Sequence, residues 1–209
     1  ASHELRSPLA VISGALDVLE SRGEMSDRDY HTLARIRRAS RDMTADVNVL
    51  LKLARGSADE DTVARLNLSE SVQDTIADLA NAYPDQAPRV VYTTETNNSV
   101  KVVADPALVR MLIRNLIQNA IQHTRSTVIV CITRTDLWVS DSGHGLPGSV
   151  IDRLREPPKD RPKVMQETTF GLLIVQLVCE RLGWQMSVVR SDDRGTEICV
   201  HFDQSGAAL

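Results

Sequence analysis

The residue types best suited to chemistry stand at the start of the chain, in ASHELRSP. His3 is followed directly by the carboxylate of Glu4, and Ser7 sets a hydroxyl four positions on, which on a helix is the same face. An exposed imidazole beside a carboxylate can be deprotonated into a nucleophile at neutral pH. Taken alone, the stretch reads equally well as a surface histidine near a helix start. Three further groups bear on what that imidazole would attack. Asn115 and Asn119, four apart in an apolar stretch, carry carboxamide oxygens that suit a hard cation such as Mg²⁺ also held by phosphates; the same groups would equally serve to hydrogen-bond neighbouring backbone. The run DSGHG, Asp141 to Gly145, joins a carboxylate able to accept from an exocyclic amine to glycines that let the backbone turn tightly beside a ligand. Arg153, Arg155, Lys159, Arg161 and Lys163 set five cations in eleven residues, either a solvated loop or a lid whose cations meet a triphosphate.

The elements needed to position these groups can be read from hydrophobic spacing. Leu5, Leu9, Ile12, Leu16 and Leu19 repeat at 4-3-4-3, and Leu33, Ile36, Ser40, Met43, Val47, Leu50 and Ala54 at 3-4-3-4-3-4. Two heptad seams around a turn at Ser21–Ser26 predict an antiparallel helical hairpin. Ser26, with Asp29 three residues on, is a capping signal for the second helix, and Gly56 and Ser57 mark its end. Two narrow stripes bury little by themselves, so pairing of two hairpins into a four-helix bundle, hence a homodimer, is expected. The polar Ser40 in the seam fits a register device. At about 100° per residue His3 lies roughly 160° from the centre of the first seam and points to solvent. Pro8 removes a backbone hydrogen bond just past it and should bend the helix.

After a polar stretch, RGSADEDTVAR, the pattern becomes mixed. It predicts a short strand and a helix over about 69–83. A strand pair follows, 90–96 with 100–104, joined through Asn97-Asn98. Asp105-Pro106 opens a helix running to about His123. Strands at about 127–133 and 136–140, a helix over about 170–183, and strands over 184–190 and 195–202 complete an α+β two-layer sandwich, with strands largely antiparallel and helices on one face. The expected organisation is a hairpin over 1–56, a linker over 57–66 and the sandwich over 67–209.

Bulk properties narrow the class further. The 209 residues are 42% hydrophobic and 25% charged with a net charge of −4, a balance that gives no support to general nucleic-acid binding. Aromatics make up only 3%, so the core rests on Leu, Val, Ile and Ala. Cys131, Cys179 and Cys199 are widely spaced in apolar runs, which reads as buried reduced thiols in a cytosolic protein. No apolar run approaches the length of about 18 residues that a membrane span needs. The first helix starts at once, without initiator Met or convincing cap. The expectation is a fragment of a longer protein whose upstream part, a membrane sensor, is missing.

In this order the motifs resemble a sensor histidine kinase: a dimerisation and phosphoacceptor hairpin followed by an ATP-binding domain of the GHKL (Bergerat) type. SHELRSPLA is similar to the phosphoacceptor box, which implies that His3 is phosphorylated and that Glu4 is the base activating it. RNLIQNAIQHT resembles the asparagine box, with Asn119 as Mg²⁺ ligand and Asn115 supporting it. DSGHG, with Gly143 and Gly145, resembles the first glycine box, in which Asp141 reads the adenine amino group. FGLLIV followed by GTEICVHF resembles the second, which implies Gly171 beside the phosphates at a helix N-terminus and Thr196 near the adenine. The resemblance thus implies ATP and Mg²⁺ as cofactors, autophosphorylation of His3, and transfer to an aspartate of a response regulator. It also implies Glu4 and Ser7 as the place of any phosphatase activity toward that regulator.

Departures from the family pattern are specific. Ser7 stands where Thr or Asn is usual, Gln122 where a basic residue is usual, and Thr169 with Phe170 where a first glycine is expected. The basic stretch has Pro157, Pro158 and Pro162 and lacks the paired phenylalanines of the family's lid. The alternatives that remain are a degenerate kinase acting as a regulator-binding module, and a GHKL ATPase of another kind, against which the exposed histidine and the heptad hairpin argue.

Overall fold

A computed structural model describes residues 2–21, 26, scattered positions between 29 and 47, and 63–82, 89–96, 99–155 and 170–202; side chains of the first helix are described from Val11 onward. Tertiary contacts divide the chain into units 1–58 and 59–209.

In the first unit, α1 spans Ser2–Ser21 and continues through Pro8. All described positions from 29 to 47 are helical and form α2. Its start is built as a cap. The Ser26 hydroxyl accepts the Asp29 amide at 3.3 Å and donates to the Asp29 carboxylate at 2.6 Å, while the Tyr30 amide reaches the Ser26 carbonyl at 3.0 Å. The side chain thus satisfies an amide that the first helical turn leaves without a partner. Arg37 ties α2 to α1 through Asp17 and Glu20, each at 2.8 Å. The hydroxyls of Ser13 and Ser40 meet at 3.4 Å, so the seam serine has its partner across the hairpin. Among the described seam positions half are covered: Leu16, Leu33, Ser40 and Val47 are buried, whereas Ile12, Leu19, Ile36 and Met43 are exposed, as are Val11 and Val18 beside the seam.

The first strand of the second unit is β1 (Ala64–Asn67), whose first three residues fall in the stretch expected as linker, followed by α3 (Leu68–Ala82), β2 (Val90–Thr94) and β3 (Lys101–Ala104). Then come α4 (Pro106–His123), β4 (Val128–Ile132), β5 (Asp136–Ser140), α5 (Gly148–Arg155), α6 (Phe170–Leu182), β6 (Gln185–Asp192) and β7 (Gly195–His201). The strands form a two-stranded sheet, β1-β3, and a five-stranded sheet in the order β2-β4-β5-β7-β6. Helix α4 packs against α3, α6, β4 and β5, which gives the helix layer of the expected α+β sandwich.

One pairing differs from the sequence expectation. β2 and β3 do not form a hairpin: β2 pairs parallel with β4, and β3 pairs antiparallel with β1. Asn-Asn lacks the glycine that two-residue hairpin turns favour, and both strands find better partners at a distance. β2 lies along the apolar β4, with the Glu95 amide extending the ladder to the Ile132 carbonyl at 3.0 Å. Two smaller differences concern side chains and one loop. Cys179 and Cys199 are buried and free, but Cys131 is only half-buried, because alternate residues of β4 face away from the helices. The basic stretch is helical at its start, since Arg153 belongs to α5; Lys159, Arg161 and Lys163 lie outside the described residues.

The core gathers around α4, where Leu112, Ile113, Leu116 and Ile117 are almost wholly buried. Each such side chain contributes about 1.5–3 kcal/mol relative to exposure. Asp105 caps α4 as its sequence suggests: its carboxylate accepts the Ala107 amide at 2.8 Å, and Pro106 follows in the first turn.

Candidate functional site

Residues from distant parts of the second unit meet around the loop that leaves β5. Asp141, 7% exposed, hangs at the strand end. One carboxylate oxygen accepts the Gly143 amide at 2.7 Å, and its own amide donates to the Thr196 carbonyl at 2.9 Å. The other carboxylate oxygen has no hydrogen-bond partner among the described residues, which leaves it able to accept from a ligand.

The glycines here are required by contact. A Cβ on Gly143 would stand 2.3 Å from the His123 carbonyl oxygen, so this residue lets the loop lie against the end of α4. Gly195, at φ +120°, would put a Cβ 1.9 Å from the Asp141 carbonyl oxygen. Gly145, at φ +74°, lies in the left-handed region that favours glycine, with its Cβ position 2.8 Å from the Asp192 carbonyl oxygen. The β6–β7 turn therefore grips the loop at both ends. Thr124 joins the same cluster from the end of α4. Its hydroxyl accepts the Ser126 amide at 3.1 Å and lies 3.5 Å from the Ser142 hydroxyl, and its carbonyl accepts from Arg89 at 2.7 Å.

The two asparagines occupy one buried face of α4 in different states. Asn115, 6% exposed, donates its amide to the Met111 carbonyl at 2.9 Å. Its side-chain oxygen faces the first turn of α6, 3.2 Å from where a Gly171 Cβ would be, so Gly171 lets α6 begin against it. Asn119, 8% exposed, has no hydrogen-bond partner among the described residues. A buried carboxamide normally finds partners, and an unengaged oxygen donor fits a hard cation.

Of the residues singled out from sequence, Asp141, Gly143, Gly145 and Thr196 come together, and Asn115 meets Gly171. His3, Glu4 and Ser7 lie in the opening turns of α1, in the other unit; their side chains are outside the described residues. Sequence reasoning missed Thr124, Ser191 and the contact role of Gly195. In the sequence Gly195 stands out only as the first residue of GTEICVHF, because its contact partner is remote in the chain. A further cluster lies at the opposite end of β5. Asp136 accepts from His201 Nδ1 at 2.8 Å, Thr135 at 2.8 Å and Thr133 at 3.1 Å. Burial pushes its pKa up, but these hydrogen bonds outweigh burial and hold the carboxyl below its ordinary value. Burial also pushes the Cys179 and Cys199 thiols up to about 12, which makes both poor nucleophiles.

Comparison with known proteins matches both units. Residues 1–59 match the His Kinase A (phospho-acceptor) domain, and residues 104–206 match the histidine kinase-, DNA gyrase B- and HSP90-like ATPase. The sensor protein GacS of Pseudomonas syringae is 24% identical over 95% of this chain, and the probable sensor histidine kinase TcrY of Mycobacterium tuberculosis 28% identical over 99%. The chain spans 24% of the length of the first and 45% of the second. Among solved structures, full-length ShkA in complex with AMPPNP superposes over 96% of this chain and 44% of its own, with a TM-score of 0.67 at 19% identity. The Acinetobacter baumannii histidine kinase AdeS superposes over 97% of this chain and 98% of its own, with a TM-score of 0.65 at 15% identity. No helix among the described residues is long and apolar enough to cross a membrane.

Proposed function

Because the chain belongs to the sensor histidine kinases of two-component systems, we propose that it binds ATP in its second unit and transfers the γ-phosphoryl group to His3. The observation that carries this reading is Asp141: a buried carboxylate with one oxygen fixed by the Gly143 amide and the other without a hydrogen-bond partner among the described residues. Such an acceptor suits the exocyclic amine of adenine, and the glycines beside it let the loop that carries it lie against the end of α4 and the β6–β7 turn. Thr196, tied to Asp141 through its carbonyl, belongs to the same wall. Gly171 at the start of α6 supports phosphate binding there, since the first amides of a helix have no partner within it.

Asn119 would hold Mg²⁺, supported by Asn115, which is anchored on the helix backbone and on which the first turn of α6 rests. The cation, when bound, neutralises charge on the transferring phosphoryl group. In the transfer an imidazole nitrogen of His3 forms a bond to the γ-phosphorus while the bond from phosphorus to the ADP oxygen breaks. Glu4 accepts the imidazole proton. Positioning and charge neutralisation carry most of such a reaction. The phosphoryl group then passes to an aspartate of a response regulator, and Glu4 with Ser7 would support phosphatase activity toward that regulator, in which water takes the phosphoryl group as the bond from phosphorus to the aspartate oxygen breaks. The exposed apolar stripe of the hairpin supports a homodimer that completes a four-helix bundle. The relatives' greater length supports placing the chain in a longer sensor protein, with a membrane-anchored input region elsewhere.

The test is incubation with Mg-ATP carrying labelled γ-phosphate, alongside His3→Ala and Asn119→Ala. Acid-labile label on the parent, absent from both variants, is the expected outcome. ATP binding without label would sink the kinase reading and favour a module that only docks a response regulator.

A further inference from the structure

The loop from Asp141 to Leu146 is held at its far end by a contact that none of its own residues forecasts. The Leu146 amide donates to the Ser191 hydroxyl at 2.6 Å, across 45 residues of chain. Ser191 sits on β6 one residue before the turn, paired with Thr196 on β7. Thr196 in turn accepts the Asp141 amide, and Gly195 lies against the Asp141 carbonyl. One rung of the β6–β7 ladder therefore fixes both ends of the loop: Thr196 holds where it starts and Ser191 where it finishes. Beneath Gly145 the Ser191 hydroxyl oxygen stands 3.1 Å from the position a Cβ would take, so the same oxygen also packs under the turn.

We infer that Ser191 is a positioning residue for the nucleotide base, its hydroxyl holding the loop in the shape in which Asp141 presents its open oxygen to an adenine edge. This rests on the ATP reading above. A loop pinned only at Asp141 would sample several paths between Ser142 and Leu146, and binding a base would then have to order it. With Leu146 fixed by the Ser191 hydroxyl, less of that ordering is left for nucleotide binding to supply. The effect falls on base recognition, because the loop carries the base-reading carboxylate, whereas the phosphate-side residues Asn119 and Gly171 lie on α4 and α6.

Ser191→Thr and Ser191→Val make the decisive pair: both are β-branched, suit a strand and have nearly the same shape, but only threonine keeps the hydroxyl. On the 209-residue chain with Mg²⁺, the dissociation constants of ATP and, by competition, GTP are measured together with the nucleotide-free thermal midpoint. The expected result is that Thr retains parental ATP affinity while Val loses about tenfold, as one hydrogen bond warrants. The preference for ATP over GTP should fall in Val and not in Thr, and Leu146 amide exchange without nucleotide should quicken in Val alone. Equal ATP affinity and base preference in Thr and Val would overturn the inference, as would a lowered midpoint in Val with unchanged preference. A parent that binds no ATP would overturn the nucleotide reading itself, and this inference with it; ATP binding by the parent with indistinguishable variants removes this inference alone.

Discussion

Asn115 and Asn119 show how one residue type at one spacing ends in two physical states. Both lie on a buried face of α4, yet only Asn115 returns its amide to the helix backbone, at Met111. Losing that bond and the packing against Gly171 should cost about 1 kcal/mol in Asn115→Ala, close to the net worth of one buried hydrogen bond. Asn119→Ala removes a group with no hydrogen-bond partner among the described residues, so urea unfolding should change by no more than about 0.5 kcal/mol. ATP titrations with and without Mg²⁺ should show the reverse order: Asn119→Ala abolishes the tightening by Mg²⁺, and Asn115→Ala only weakens it. A large stability loss in Asn119→Ala would mean that the carboxamide serves the fold. The spacing predicted the shared face. Which of the two stays unengaged is set by rotamers and by what α6 presses against them.

At the scale of elements, β5 carries a polar cluster at each end. Asp141 closes one end with the candidate site, and Asp136 opens the other with His201, Thr133 and Thr135 around it. The folded state holds Asp136 below its ordinary pKa. The corresponding stability is therefore fully present above the unfolded value of about 3.9, and is lost as pH falls from there through the folded pKa. Asp136→Asn should unfold at lower urea than the parent at pH 6, and the two should converge as pH is lowered below about 4. A constant gap across that range would show that the carboxylate charge is irrelevant to the cluster. Strand pairing was the least legible feature at this scale. The strands at 90–94 and 101–104 could be read from their β-branched runs, but each pairs with a partner outside the apparent hairpin, because ladder choice depends on which apolar edge is available in three dimensions.

For the whole molecule, the hairpin poses an unsolved burial problem within one chain. Ile36 and Met43 are 44% and 53% exposed, while Leu33, Ser40 and Val47, in the alternate heptad position, are covered. A seam half-covered by its own hairpin is expected to be completed by a second copy. Ile36→Glu with Met43→Glu should shift the chain from dimer to monomer in sedimentation, with helical content of the second unit intact. A dimer that persists would place the self-association elsewhere.

The sequence by itself determined the two-part plan: heptad seams for the hairpin, the Asp105-Pro106 start of α4, the buried faces, and a set of boxes whose residues lie in the expected elements. These depend on periodicity, capping and turn chemistry, which are local and need only a few neighbouring residues. The tertiary structure decided what contacts what across long stretches of chain. It set the parallel β2–β4 pairing, the Ser191 hold on Leu146, the closeness of Gly195 to Asp141, and the difference between Asn115 and Asn119. Such contacts form only when distant strands and helices share one core, and no local pattern records them.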